Sequence, residues 1–302
     1  MDGPEFDLYW HRLVFERECL KRMGAEFQTF FEAIMEKAEP SFVTIKPWGN
    51  VGDEKCDGLV KDRGIYFQVY APEGSIPVTE TIAKIDEDFS GAKANWEALQ
   101  EWIFVWSAVD AGLPPAVEKR LQELEAANKE LNIDDWGEEA LWMITKEKLT
   151  PDQRLHLLGI IPRPDVANRT TAAEIQTLLN WIVEQPVGPD AEEGFDLTDL
   201  ADKLSKNQLS DRIGSIAGRS LPIAGEVERY VSGSVDLRLS SKVASRLVGE
   251  YELLAASGSS ADATFVGLIE YVIGDSTKTQ ELFWAAAGIV TYYFQICDIF
   301  ER

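Results

Sequence analysis

Residues 30–72, FFEAIMEKAEPSFVTIKPWGNVGDEKCDGLVKDRGIYFQVYAP, constrain the fold of this chain more than any other stretch. They open inside an amphipathic helix in which Phe27, Phe30, Phe31, Ile34 and Met35 share one broad face, and Glu32 and Glu36, four residues apart, share a side. Pro40 ends that helix. An acidic turn bracketed by glycines, residues 52–58, follows. The stretch closes on a strand whose Ile65, Phe67 and Val69 face one way while Tyr66, Gln68 and Tyr70 face the other. Helix, tight turn and alternating strand in close succession predict a layered α/β fold here. They also let a carboxylate from the helix, one from the turn and a polar side chain from the strand converge, which is how a divalent metal is held for phosphodiester chemistry. In that reading Asp57 and the Gln68 carbonyl offer hard oxygens to Mg²⁺, and Glu32 or Glu36 adds a third. A solvent-exposed hairpin with solvated acids on a helix flank fits the same spacing, so the pattern alone leaves both open.

Along the rest of the chain, helical spacing is expected over residues 6–23, 25–38, 79–98 and 115–129, with short strands at 42–45, 59–60, 65–70 and 131–134. The run WIFVWSA, residues 102–108, is apolar throughout, as a strand covered on both faces must be. Residues 159–164, GIIPRP, continue neither element. Beyond them no strand pattern appears: a capping box at Thr171–Glu174 opens a helix to about 183. Further helices are expected over 197–204, 208–218, 223–232, 237–256, 261–271 and 279–299. The expected division is an α/β domain over residues 1–160 and an all-α domain over 165–302, with a linker at about 184–194 rich in proline, glycine and acids.

The net charge of -23 sets the whole chain against free-standing DNA or anionic-lipid binding, so contact with DNA has to come through a local patch or a more basic partner. Three cysteines without a CxxC pair exclude a sequence-evident zinc site or disulfide framework and suit a reducing, cytoplasmic location. With only two histidines, His11 and His156, chemistry that needs a histidine pair, such as that of a zincin or a two-histidine nuclease, is not expected. The acidic, polar start predicts no signal peptide. The apolar run at 282–300 is broken by Gln295 and Asp298, which predicts a buried closing helix and no membrane span.

The order FFE on a helix, GDxxxDG in a turn and QxY at a strand end resembles the restriction-endonuclease-like (PD-(D/E)xK) superfamily, especially its type IV, Mrr-like branch. The resemblance implies an N-terminal mixed sheet flanked by helices and a Mg²⁺ site of Glu32, Asp57 and Gln68, with Asp53 matching the first acid of the turn. The family has a catalytic lysine where this chain has Tyr70. A neutral phenol hydrogen-bonds but brings no positive charge. Lys84 is the expected substitute, with Lys55 and Lys46 behind it. PWGNVGDEKCDG, FQVYAPE, TIAKIDEDFSGA and WIFV, together with the closing YYFQICDIFER, resemble effector proteins of bacterial ABC three-component defence systems, relatives of the Lamassu systems. That implies an anti-phage effector subunit, a Mg²⁺-dependent DNA endonuclease if its site is live. It also implies an SMC-like ABC ATPase and a small middle subunit as partners, docked through a C-terminal helical association domain. The acidic charge and the apolar tail add the expectation that the terminal helix, with Tyr292, Phe294 and Phe300, mediates self-association or docking to a more basic partner, the alternative being a core helix. The rival expectation is a non-catalytic scaffold of the same kind of complex, binding DNA or a partner.

Overall fold

The computed structural model describes residues 3–46, 54–72, 74, 76–107, 112–189, 198–296 and 299–300. Asp53, the expected turn at residues 47–50 and the second half of the expected linker lie outside the described residues. The chain divides into two compact units, residues 18–157 and residues 1–17 with 158–302. The expected N-terminal domain included residues 1–17; their contacts place them in the helical unit. There the Trp10 ring meets Phe283 edge-on at 5.2 Å, and its indole N–H donates to the Ile160 carbonyl at 3.0 Å.

Residues 18–157 form an α/β unit. Its sheet follows the chain, β1 (Phe42–Thr44), β2 (Gly58–Val60), β3 (Ile65–Tyr70), β4 (Glu101–Trp106) and β5 (Asn132–Trp136), in that order in space. β1, β2 and β3 pair antiparallel, as short turns allow. β3, β4 and β5 pair parallel, because helices α3 (Val78–Asn95) and α4 (Pro115–Ala127) carry the chain back between them. The result is a five-stranded mixed sheet flanked by helices. Ile85, Phe89 and Ala92 of α3 and Val117, Leu121 and Leu124 of α4 pack with Leu59, Tyr66, Trp102 and Phe104 on one face. Burying a side chain of this size contributes roughly 2 kcal/mol. On the other face lies α2 (Gly24–Ala38), whose Phe31 meets Phe67 at 5.3 Å, and α5 (Glu138–Lys148), which packs beside it. Gly58 is fixed by this packing, since a Cβ there would come within 2.6 Å of the Phe42 ring. Trp102 is fully buried, and its indole N–H has no acceptor among the described residues.

The other unit contains residues 4–17 of α1 (Pro4–Lys21), a 3-10 segment Pro164–Arg169, α7 (Ala172–Glu184), α8 (Leu200–Lys206), α9 (Asp211–Ser232), α10 (Leu239–Ala256), α11 (Ala261–Ile273) and α12 (Gln280–Ile296). α6 (Pro151–Leu158) belongs to the α/β unit up to its last residue, Leu158. The capping box of α7 forms as the sequence predicts, with Thr171 and Glu174 in reciprocal hydrogen bonds. Arg246 of α10 closes the other end of α7, donating to the Gln185 and Val183 carbonyls at 2.9 and 2.8 Å. The two helices expected at 208–218 and 223–232 are one helix, α9, which runs through Pro222. Pro222 is exposed, while Ile216, Ala217, Ser220, Ile223, Ala224 and Val227 form an unbroken buried stripe, so tertiary packing overrides the local break. α9 packs against α12, where Gly288 lets Ile223 approach: a Cβ at 288 would meet it at 2.3 Å.

Phe283, Trp284, Ile289, Val290, Tyr293 and Phe294 are buried around the whole circumference of α12, which makes it the central helix of this unit. Phe300 is buried and Tyr292 half-buried. Phe294 and Phe300, named as docking anchors, are core residues here, as the expectation of a buried closing helix has it. The Trp284 indole donates to the Arg163 carbonyl at 2.9 Å. Among the described residues no helix is long and apolar enough to cross a membrane.

Candidate functional site

The register places the expected site residues on definite sides of the sheet. Gly58 is opposite Phe67, and Phe67 faces α2, so the next pair along, Asp57 and Gln68, faces α3. The Asp57 Oδ2 atom accepts from the Gln68 Nε2 at 2.8 Å and from the Val69 N–H at 2.7 Å. β2 begins at Gly58, so beyond it the Asp57 carboxylate takes the place of a strand carbonyl for the next donor on β3. Both residues are buried, 7 % and 6 % exposed. With Nε2 committed to Asp57, the Gln68 Oε1 is left buried without a partner among the described residues.

Gln68 faces the middle of α3. Tyr66, two residues before it, touches Trp96 at 5.2 Å, and the Tyr70 hydroxyl, two residues after, lies 3.3 Å from that of Thr81. Between these limits α3 presents Lys84, Ile85 and Asp88. Asp88 is 1 % exposed and is held by two lysines. Lys84 donates to its Oδ2 at 2.6 Å, and Lys55, from the acidic turn, comes within 3.1 Å of Oδ1 as a charge rather than an aligned hydrogen bond. Lys55 also donates to Glu87 at 2.6 Å; that bond, more than the Asp88 charge, holds its ammonium above the ordinary lysine range against the opposing effect of burial. The turn comes this close because Gly91 has no side chain: a Cβ there would lie 2.5 Å from the Lys55 Cγ.

Glu32 lies on the α2 side. Its two oxygens accept from the Lys46 ammonium at 2.7 and 2.8 Å, and Oε1 also accepts from Gln28. Ile45 pairs with Asp57 through its N–H, so Lys46, one residue on, points to the opposite face and meets Glu32 there. The structure thus brings together Asp57 and Gln68, sets Tyr70 and Lys84 on the same side of the sheet, and keeps Glu32 in an ion pair across it. Tyr70 stacks on Phe104 at 5.6 Å.

The fit to Mg²⁺ follows from the donors. Asp57 and the orphaned Gln68 oxygen suit a hard cation; Glu32, held by Lys46 on the other face, does not complete the set. Among the described residues no group of three or more histidine, cysteine, aspartate or glutamate side chains is placed to hold a metal ion. The residue that sequence reasoning missed is Asp88. Its signal was Lys84 four residues before it on a helix, the spacing of an ion pair.

No family model, no curated protein and no solved structure matches the chain.

Proposed function

We propose that this chain is a subunit of a bacterial anti-phage complex of the ABC three-component kind, and that its α/β unit is a restriction-endonuclease-like head that engages DNA without hydrolysing it. The observation that carries the choice between binding and cutting is the Asp57–Gln68 bond. A metal ligand directs oxygens at the ion, whereas here the Gln68 amide nitrogen and the Val69 N–H both occupy Asp57 Oδ2, and the carboxylate closes a strand ladder. Lys84, the expected source of positive charge beside a phosphate, is neutralised by Asp88. The net charge of -23 supports a role beside more basic partners, an SMC-like ATPase and a small middle subunit, rather than unaided DNA binding.

One observation favours the second reading, a Mg²⁺-dependent DNA endonuclease: the Gln68 Oε1 is a buried acceptor in need of a partner. Mg²⁺ bound there would orient a water and polarise a phosphate, with Asp57 and Gln68 as its protein ligands. Asp57→Ala separates the two. In a ladder-closing role it leaves the Val69 N–H and the Gln68 amide unpaired and lowers stability by about 2 kcal/mol in denaturant titration. The reconstituted complex, with ATP and Mg²⁺, then binds plasmid DNA without nicking it. A wild-type complex that nicks plasmid, with nicking lost in Asp57→Ala at unchanged stability, would establish the nuclease instead.

A further inference from the structure

α9 shows solvent a face that its own fold does not account for. Gly218 and Pro222 are exposed, Gly225 is half-buried, and a Cβ added at Gly218 or Gly225 would meet nothing within 4 Å. Inside a helix a glycine is less stable than alanine by about 1 kcal/mol and a proline by about 3 kcal/mol, and no close neighbour among the described residues requires either glycine. Beside them Leu221 is 41 % exposed. Arg219 is also exposed, and its guanidinium has no hydrogen-bond or ion-pair partner among the described residues. Charge singles out the same part of the chain. Residues 203–246 hold eight lysines and arginines against four acids, whereas acids outnumber bases by more than two to one in the rest. Two copies of a chain of net charge -23 therefore repel each other least where this segment faces its copy.

The order of residues along that face suits a pair of helices. Ser215, Gly218, Pro222, Gly225 and Arg229 recur at intervals of three and four, so they form one row about 21 Å long at 1.5 Å per residue. All five are exposed or half-buried. Arg219 and Glu226, seven residues apart, flank the row on one side, and Leu221 and Glu228, also seven apart, flank it on the other. We propose that α9 packs along this row against α9 of a second copy, antiparallel, about a two-fold axis beside Pro222. In such a pair the residues equally far from the axis on either side face each other, and like flanks meet. Leu221 then lies against Leu221 of the second copy. On the other flank Arg219 lies against Glu226 of the second copy, and Glu226 against its Arg219, so the unpaired guanidinium gains a carboxylate twice over. A parallel pair would set Glu226 beside Leu221 and leave Arg219 without an acid. Without large side chains in the row between them, the two backbones can approach closely. Glu226 and Glu228 line both flanks, which disfavours a phosphate backbone as the occupant. One helix pair belongs to the small, reversible class of interface, below about 1,200 Å². The proposal is independent of whether the α/β unit engages DNA.

Sedimentation equilibrium of the full chain tests it, at protein concentrations from about 5 to about 300 μM in physiological salt. The expected result is a reversible monomer–dimer equilibrium within that range. Arg219→Glu and Glu226→Arg, each alone, set like charges opposite one another and should weaken the dimer at least about 10-fold. An equimolar mixture of the two variants should associate as the wild type does, because every facing pair again joins opposite signs. The double variant Arg219→Glu, Glu226→Arg should do the same by itself. Both residues are exposed, and an unchanged circular dichroism spectrum will show that each variant folds. A wild type that stays monomeric at about 300 μM overturns the proposal and leaves the face to an unlike protein. A dimer that neither single variant weakens also overturns it, as does a loss that the mixture fails to restore.

Discussion

Asp135, which accepts from the Trp106 indole N–H at 2.8 Å, shows how one side chain ties stability to pH. Burial raises its pKa above the ordinary carboxylate range, against the lowering effect of the Trp106 hydrogen bond, and the neighbouring Glu118 and Asp134 charges add to the rise. The folded protein therefore holds this proton more tightly than the unfolded chain, whose value is near 3.9. The stabilisation is complete below about pH 4 and is lost as pH rises through the folded value. Asp135→Asn keeps an acceptor for the indole and removes the charge. It should raise the melting temperature at pH 7 and leave it unchanged below about pH 4, as thermal denaturation across that range will show. Of the site itself, the meeting of Asp57 with Gln68 was legible, because strand parity and a short turn leave few other registers. Glu32 was not, because which face of the sheet α2 covers is settled by the Phe31–Phe67 contact, and nothing local to the helix encodes it. Asp88 sat unread within a run of acids, since only the fold reveals that two lysines reach it.

Elements with strong periodicity were the most legible. β3 occupies the expected residues, 65–70, because its two faces meet different helices and each demands its own side chains. Residues 102–106 of the apolar run lie in β4 for the reason their composition implies, burial between two layers of helices. α9 was the failure, since a proline within a helical pattern reads as a stop and only the α12 surface outweighs it. Pro222 still removes an N–H and crowds the carbonyl of Gly218. Because it is exposed and outside the buried stripe, Pro222→Ala should stabilise the protein by about 2 kcal/mol in urea titration. If stability falls instead, the proline makes packing contacts that its exposure does not suggest.

Each of the two units has a core of its own, so their responses to damage should separate. A chain ending at residue 279 loses Trp284, Tyr293 and Phe294 from the centre of the helical unit. It should lose that unit's cooperative transition and bind 1-anilinonaphthalene-8-sulfonate, while residues 18–157 keep theirs; a deletion that left both transitions intact would show α12 to be peripheral. Two tryptophans make the separation visible by light. Trp102, in dry surroundings and with no acceptor for its indole among the described residues, should emit at the blue end of the range. Trp284, equally buried but bonded to the Arg163 carbonyl, should emit slightly further to the red. With the other tryptophans replaced by phenylalanine, these two rings become separate optical reporters, so the order in which the α/β and helical units melt can be read from the colour of the chain's own fluorescence.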